Sequence, residues 1–200
     1  MRKIGVFSGS FNPIHIGHLA LANWMCEYVD LDEIWFLVTP QNPLKDKGNL
    51  IDYDVRFAMV KDAVAGYPKF RVSDFECSLP LPSYTINTLR ALRETCPDFV
   101  FHLIVGADSW DNITLWKDAQ ALMDEFPILI YPRKNYESTV PSSGFQIRKM
   151  EAPLMEISSS FIRSGIKEGK DIRFFLPESV RENINLLKRF FCDEIKNQQK

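Results

Sequence analysis

At 200 residues, 46% of them hydrophobic and 25% charged, the chain has the size and composition of one α/β domain with room for a small appendage. A formal net charge of −2 excludes the broad basic field of a nucleic-acid binder, so any anion must be held by local placement of cations and amides. The four cysteines are scattered without a C-x-x-C pair, which excludes a redox couple or metal knuckle, and no stretch has the length of a membrane span.

The basic start, Met1-Arg2-Lys3, precedes an apolar run too short for a secretion signal, so a cytoplasmic protein with reduced thiols is expected. Ile4-Gly5-Val6-Phe7 reads as a buried strand, and Leu19-Ala20-Leu21-Ala22 as the first turns of a helix. Asp32 to Val38 is a second strand, ending in the double-proline loop Thr39-Pro40-Gln41-Asn42-Pro43. Asp52 is placed to cap a helix over about Tyr53–Ala65, and Phe70–Ser73 is a short strand. Leu79-Pro80-Leu81-Pro82 leads to Ser83, the expected N-cap of a helix through about Thr95. Phe99–Val105 is a strongly apolar strand, Leu115–Met123 a helix and Pro127–Tyr131 another strand.

The tail differs in pattern. Ser158-Ser159-Ser160 opens a short helix ended by Gly165, and an amphipathic helix follows from about Glu178 to Ile195. Alternating strands and helices predict a Rossmann-like, doubly wound parallel sheet over residues 1–155, with a C-terminal helical subdomain over 156–200 packed on the same core as one continuous unit. Ligands of such sheets sit beyond the C-terminal strand ends, where Gly9–Gly17, Thr39–Lys47, Gly106–Trp116 and Tyr131–Lys134 fall.

The chemistry concentrates in Gly9 to His18, G-S-F-N-P-I-H-I-G-H, between the first strand and first helix. Unpaired N–H groups at a helix start suit a phosphate, Gly9 and Gly17 permit close approach, and Pro13 stiffens the loop. His15 and His18, three apart, share one face of the first turn and can donate to one anion. The competing reading is a structural turn with a capping histidine. A zinc site lacks further Cys, Glu or His ligands at suitable spacing. The serine run and Arg163, about one turn on, offer hydroxyls, amides and a guanidinium fork to phosphate oxygens; an ordinary cap beside an exposed arginine is the alternative. His102, inside an apolar strand, reads as structural.

The eleven residues S-G-S-F-N-P-I-H-I-G-H, from Ser8 to His18, contain the H-x-G-H signature of the nucleotidyltransferase superfamily, and resemble most the nicotinate-nucleotide adenylyltransferase family. The tail element Ile157-Ser158-Ser159-Ser160-Phe161-Ile162-Arg163 resembles that superfamily's I-S-S/T-T-x-x-R, with Ser160 for the usual Thr. Pro82 to Leu89 is similar to the family's P-S-Y-T-I-D-T-L, and Gly106-Ala107-Asp108 with Leu115-Trp116 to its G-x-D…L-x-x-W. Asn12 replaces the commoner Asp, and Leu44 replaces a histidine before Lys45.

The resemblance implies transfer of an adenylyl group from ATP to nicotinate mononucleotide, giving deamido-NAD and pyrophosphate. His15, His18, Lys45 and Arg163 would neutralise the triphosphate, with Mg²⁺ carried mainly on the ATP phosphates and no dedicated metal cage. Gly9, Ser10, Phe11, Gly17, Gly106, Asp108, Ile157, Ser158 and Ser159 complete the implied ATP site. Asp108 would serve the ribose hydroxyls. Ser10, Lys45, Tyr84, Thr85, Trp116, Lys117 and Arg133 are implied for the mononucleotide, Trp116 by stacking on the pyridine and the amides near Thr85 and Lys117 by receiving its carboxylate. On residue type alone, Lys45 and Arg133 also fit solvated side chains, Asp108 a helix cap and Trp116 a core position. Lys47 could replace Lys45. Phosphopantetheine adenylyltransferases and cytidylyltransferases share H-x-G-H but lack the P-S-Y-T and G-x-D…L-x-x-W combination. A nicotinamide-preferring enzyme and a non-catalytic nucleotide sensor also stand as alternatives, and a homo-oligomer is compatible with the sequence. Neither nucleic acid nor membrane is expected as a partner.

Overall fold

The computed structural model describes residues 1–41, 50–140 and 146–197. The apolar runs form β1 (Arg2–Gly9), β2 (Glu33–Val38), β3 (Phe70–Ser73), β4 (Phe99–Gly106) and β5 (Ile128–Tyr131). Between them lie α1 (Ile16–Tyr28), α2 (Tyr53–Val64), α3 (Thr85–Thr95), α4 (Ala107–Trp110) and α5 (Ala119–Glu125). A further strand, β6 (Ile147–Lys149), is followed by α6 (Ser159–Lys167), α7 (Glu178–Arg181) and α8 (Ile184–Asn197).

Every strand pair is parallel, in the order β3-β2-β1-β4-β5-β6. Strand order reverses between β1 and β4, so Gly9 and Gly106, at their C-terminal ends, flank the crevice that a doubly wound sheet opens to ligands. The two-residue period of the strands sorts the core into two layers. Ile4, Val6, Leu103, Val105 and Ile130 face α3, α4 and α5 through Leu89 and Trp110. Phe7, Phe36, Ile104 and Leu129 face the other layer, where α1 and α2 meet Ile162 of α6 and Leu187 and Phe191 of α8. The residues after 156 thus share an apolar layer with the sheet. No helix among the described residues is long and apolar enough to cross a membrane.

Several elements depart from the sequence expectation, each for a local reason. Tyr84, not Ser83, is the N-cap residue of α3, and the Ser83 hydroxyl is buried without a partner. The stretch expected as a helix over Leu115–Met123 is broken. Ile113–Leu115 is a 3₁₀ turn, Trp116 is extended, and Asp118 takes a left-handed φ of 50° before α5 begins. The C-terminal helix is divided at Glu182 and Asn183, while α6 runs through Gly165 to Lys167. β6 carries one half-buried apolar residue, Ile147, and two exposed ones, too little pattern to announce a strand. Asp52 occupies the N-cap position of α2 with no side-chain cap bond.

Candidate active site

The segment from Gly9 to His18 wraps the C-terminal end of β1 and starts α1. Phe11 takes a left-handed φ of 43°, an uncommon conformation for a bulky residue, and its ring is buried against Gly9 and edge-on to His18 at 5.1 Å. His15 caps α1 in an extended conformation, its backbone N–H donating to Nδ1 of His18 at 3.3 Å. That bond leaves the His18 ring proton on Nε2 in the neutral tautomer. The two imidazoles stack with centroids 3.7 Å apart. His15 is 2% exposed, and neither ring nitrogen has a protein partner. Burial, assisted by the nearby Arg133 guanidinium, pushes its pKa down to about 3, so it is a neutral imidazole.

Gly17 and Ile157 do not line the cleft; they hold His15. A Cβ on Gly17 would lie 3.1 Å from His15 Nδ1 and 3.3 Å from the Ile157 Cβ, so the glycine lets the ring and the C-terminal segment close together.

The start of α6 meets this loop. Ser158 accepts a hydrogen bond from the Phe161 N–H at 3.1 Å, and Ser159 donates to the Pro13 carbonyl at 3.0 Å. Arg163 donates from Nη1 to the Asn12 carbonyl and from Nη2 to Ser160 Oγ, each at 3.0 Å. His15, His18, Ser158, Ser159 and Arg163 all face one cleft of about 590 Å³. Asp108, in the first turn of α4, lies on the same cleft.

Arg133 is in this cleft as well, 3.6 Å from Asp108 Oδ1, with its Nη atoms donating to the Met155 carbonyl and the Tyr131 hydroxyl at 3.3 Å each. It lies on the histidine cleft and does not line the cavity of Tyr84 and Trp116. β5 ends at Tyr131, and the turn after it brings Arg133 back toward Asp108. Ser10 lies on the histidine side only, its hydroxyl buried without a partner.

A second cavity, about 410 Å³, opens from the same strand ends. Tyr84, Thr85, Trp116 and Lys117 line it with Glu76 and Ser83. Lys117 Nζ stands 4.6 Å from the centroid of the Tyr84 ring, a cation–π contact between two wall residues. Gly9, Ser109 and Tyr131 line both cavities, which therefore join at the end of β1. Lys45, Lys47, Asn42 and Leu44 lie outside the described residues.

Arg56 escaped the sequence reading. It is fully buried on α2, and no carboxylate pairs with it among the described residues. Its guanidinium donates to the carbonyls of Ile51 and Ser10 at 2.7 Å, Thr39 at 3.0 Å and Pro40 at 3.4 Å. One cation thus fixes the ends of both loops that follow β1 and β2. The only sequence signal was an arginine at an apolar helical position. Glu76 and Ser83 were likewise missed; both follow β3, in a segment read as loop and cap.

A family model described as cytidylyltransferase-like matches residues 6–165. A Bacteroides fragilis protein named probable nicotinate-nucleotide adenylyltransferase is 48% identical over 182 residues, spanning 91% of this chain and 90% of that protein. A Cytophaga hutchinsonii protein of the same name is 44% identical over 191 residues, spanning 96% and 99%. Among solved structures, the Plasmodium falciparum nicotinic acid mononucleotide adenylyltransferase complexed with NaAD matches with a TM-score of 0.78 at 20% identity, over 95% of this chain and 98% of that one, a likeness of fold.

Proposed function

The chain belongs to the nicotinate-nucleotide adenylyltransferase family, and from that premise we propose how its two joined cavities perform the reaction. The activity is adenylyl transfer from ATP to nicotinate mononucleotide, giving deamido-NAD and pyrophosphate. The observation that carries the assignment of roles is the meeting of His15, His18 and Arg163 on one cleft continuous with the cavity of Trp116.

ATP occupies the histidine cleft and the mononucleotide occupies the Trp116 cavity. The phosphate of the mononucleotide is already an anionic nucleophile, so no side-chain nucleophile or general base is needed. It attacks the α-phosphorus in line with departing pyrophosphate. The protein's work is positioning and charge neutralisation. His18 donates from Nε2 and His15 as a neutral imidazole, while Arg163 and the amides at the start of α6 hold the outer phosphates. Lys45, by the resemblance of its sequence motif, adds a cation. Mg²⁺ carried on ATP would supply further neutralisation of the phosphates. The neutral serine hydroxyls of the cleft would suit the water shell of an ion held through ATP. The pyridine stacks on Trp116, and its carboxylate meets the first amide of α3 at Thr85 and the backbone of Lys117, an electropositive corner that favours an acid over a carboxamide. Asp108 and Arg133 serve the adenosine side. We place the reaction in the cytoplasm, in keeping with the sequence expectation.

The test is direct. Purified protein is mixed with ATP, Mg²⁺ and either nicotinate or nicotinamide mononucleotide, and the dinucleotide and pyrophosphate are identified. Deamido-NAD forming faster than NAD is expected; nucleotide binding without pyrophosphate release would mark a sensor and overturn the reading.

Gly106 supplies a second check. A Cβ there would stand 2.3 Å from Asp108 Oδ1 and 3.0 Å from Tyr131 Cζ. Asp108 can swing away at small cost to the fold, but the carboxylate then leaves its place. Gly106→Ala is expected to raise the KM for ATP by about tenfold to a hundredfold with little change in Tm, the scale of a misplaced binding group. An unchanged KM would remove Asp108 from the nucleotide site.

A further inference from the structure

The floor of the Trp116 cavity holds a group with no part in the reaction as described. Glu76, in the 3₁₀ turn Phe75–Ser78, is 3% exposed and lines the cavity. Its Oε1 accepts from Thr88 Oγ1 at 3.0 Å, and its Oε2, which faces Thr39, makes no hydrogen bond of ordinary length among the described residues. The Ser83 hydroxyl, on the same cavity, is also buried and unpartnered. Buried polar atoms left in this state cost stability unless a ligand or water meets them. Two such atoms lining one cavity point to a polar group of the ligand lodging there.

The position of Glu76 identifies that group. Thr88 lies on the first turn of α3, one turn from Thr85, whose amide is the anchor for an anion. An ionised Glu76 would face the pyridine carboxylate as a like charge in a low-dielectric pocket. Two carboxylates so placed hold one proton between them. The hydroxyl geometry agrees. Thr88 has a single hydrogen, and Oγ1 is within 3.3 Å of the Tyr84 carbonyl as well as near Glu76. With Oε1 accepting from Thr88, a proton on the carboxyl sits on Oε2, the oxygen that lines the cavity without a donor of its own.

Resting on the proposed reaction, we propose that Glu76 is a specificity-determining residue, whose neutral carboxyl donates from Oε2 to the pyridine carboxylate when the mononucleotide binds. The proton stays on the pair throughout, so nothing is consumed. Nicotinate binding then requires a proton on Glu76, and nicotinamide binding does not. Burial raises the Glu76 pKa above the usual carboxylate range, which supplies that proton nearer neutrality. Facing Glu76 are Thr88 from α3 and Thr39 from the end of β2, both uncharged. The titratable groups of its own segment are Asp74 and Cys77, and those sharing the cavity are Tyr84, Tyr131 and Lys117.

The experiment compares the wild type with Glu76→Gln, which keeps size and a donor but cannot titrate. The KM for nicotinate mononucleotide is measured from about pH 6 to about pH 9, and the ratio of the two enzymes at each pH cancels the titration of the substrate's own phosphate. The wild-type to Gln ratio is expected to climb toward tenfold per pH unit above the Glu76 pKa, with kcat unaffected. Nicotinamide mononucleotide should give a flat ratio. In parallel, calorimetry of the wild type in buffers of different ionisation enthalpy should detect up to about one proton taken up per nicotinate mononucleotide bound above that pKa. This second measurement decides the matter if the Gln variant does not fold. A flat nicotinate ratio, or no proton uptake, overturns the role of Glu76 and leaves the reaction standing. Failure of the wild type to form any dinucleotide overturns the reaction itself.

Discussion

Replacing His18 with alanine is expected to lower kcat by about a hundredfold to a thousandfold while leaving the melting temperature within a few degrees of the wild type. The magnitude is that of removing one preorganised donor from a site of developing negative charge. The His18 ring accepts the His15 N–H at Nδ1, so its remaining nitrogen carries a hydrogen in the cleft that Arg163 and the α6 serines also face. As the bond from the α-phosphorus to pyrophosphate lengthens, charge gathers on oxygens that this N–H meets. The substituted ring is half-buried, and its loss removes edge contacts with Phe7 and Phe11 rather than a core layer. Steady-state rates and a thermal melt on the same sample separate the two effects. Wild-type-like turnover in His18→Ala would remove the imidazole from the chemistry.

Arg56→Met is expected to cost about 3–5 kcal/mol of stability and to lower the melting temperature by about 10 °C. The methionine fills much of the space but leaves the carbonyls of Ser10, Thr39 and Ile51 without their donor in a buried place. Activity should fall further than stability alone explains, because Ser10 starts the loop that carries His15 and His18. Arg56→Lys should recover less than half of the loss, since one ammonium cannot reach carbonyls spread around a planar fork. A melt of Arg56→Met within about 2 °C of the wild type would contradict this account.

The contrast between these two residues shows what the sequence discloses. His18 stands in a dense local signal, with Gly, Pro and another histidine between a strand and a helix. Arg56 looks like any cation on a helix, because its four acceptors come from three separate segments. The parallel strands were readable for the same local reason. Phe70–Ser73 was bounded as observed, and the strongly apolar Phe99 run extends one residue further, to Gly106. Trp116 was not placed correctly by helical spacing. No Gly or Pro marks the break around it, where Trp116 is extended and Asp118 takes a left-handed φ, so that Leu115, Trp116 and Lys117 line the cavity before α5 begins. Its line of helix-forming residues favoured a helix that tertiary contacts override. Glu76 was invisible for a related reason. Its burial depends on α3 folding over it, and a lone Glu between Phe75 and Cys77 gives no warning of that.

The two hydrogen bonds from α6 to the phosphate loop, Ser159 to Pro13 and Arg163 to Asn12, span 146 and 151 residues of chain. During synthesis the histidine loop therefore leaves the ribosome on the order of ten seconds before its clamp. Through that interval the sheet can assemble while the triphosphate cradle stays open on one side. The last two bonds that hold the histidine loop therefore wait on the tail, long after the strand and helix that flank the loop have left the ribosome.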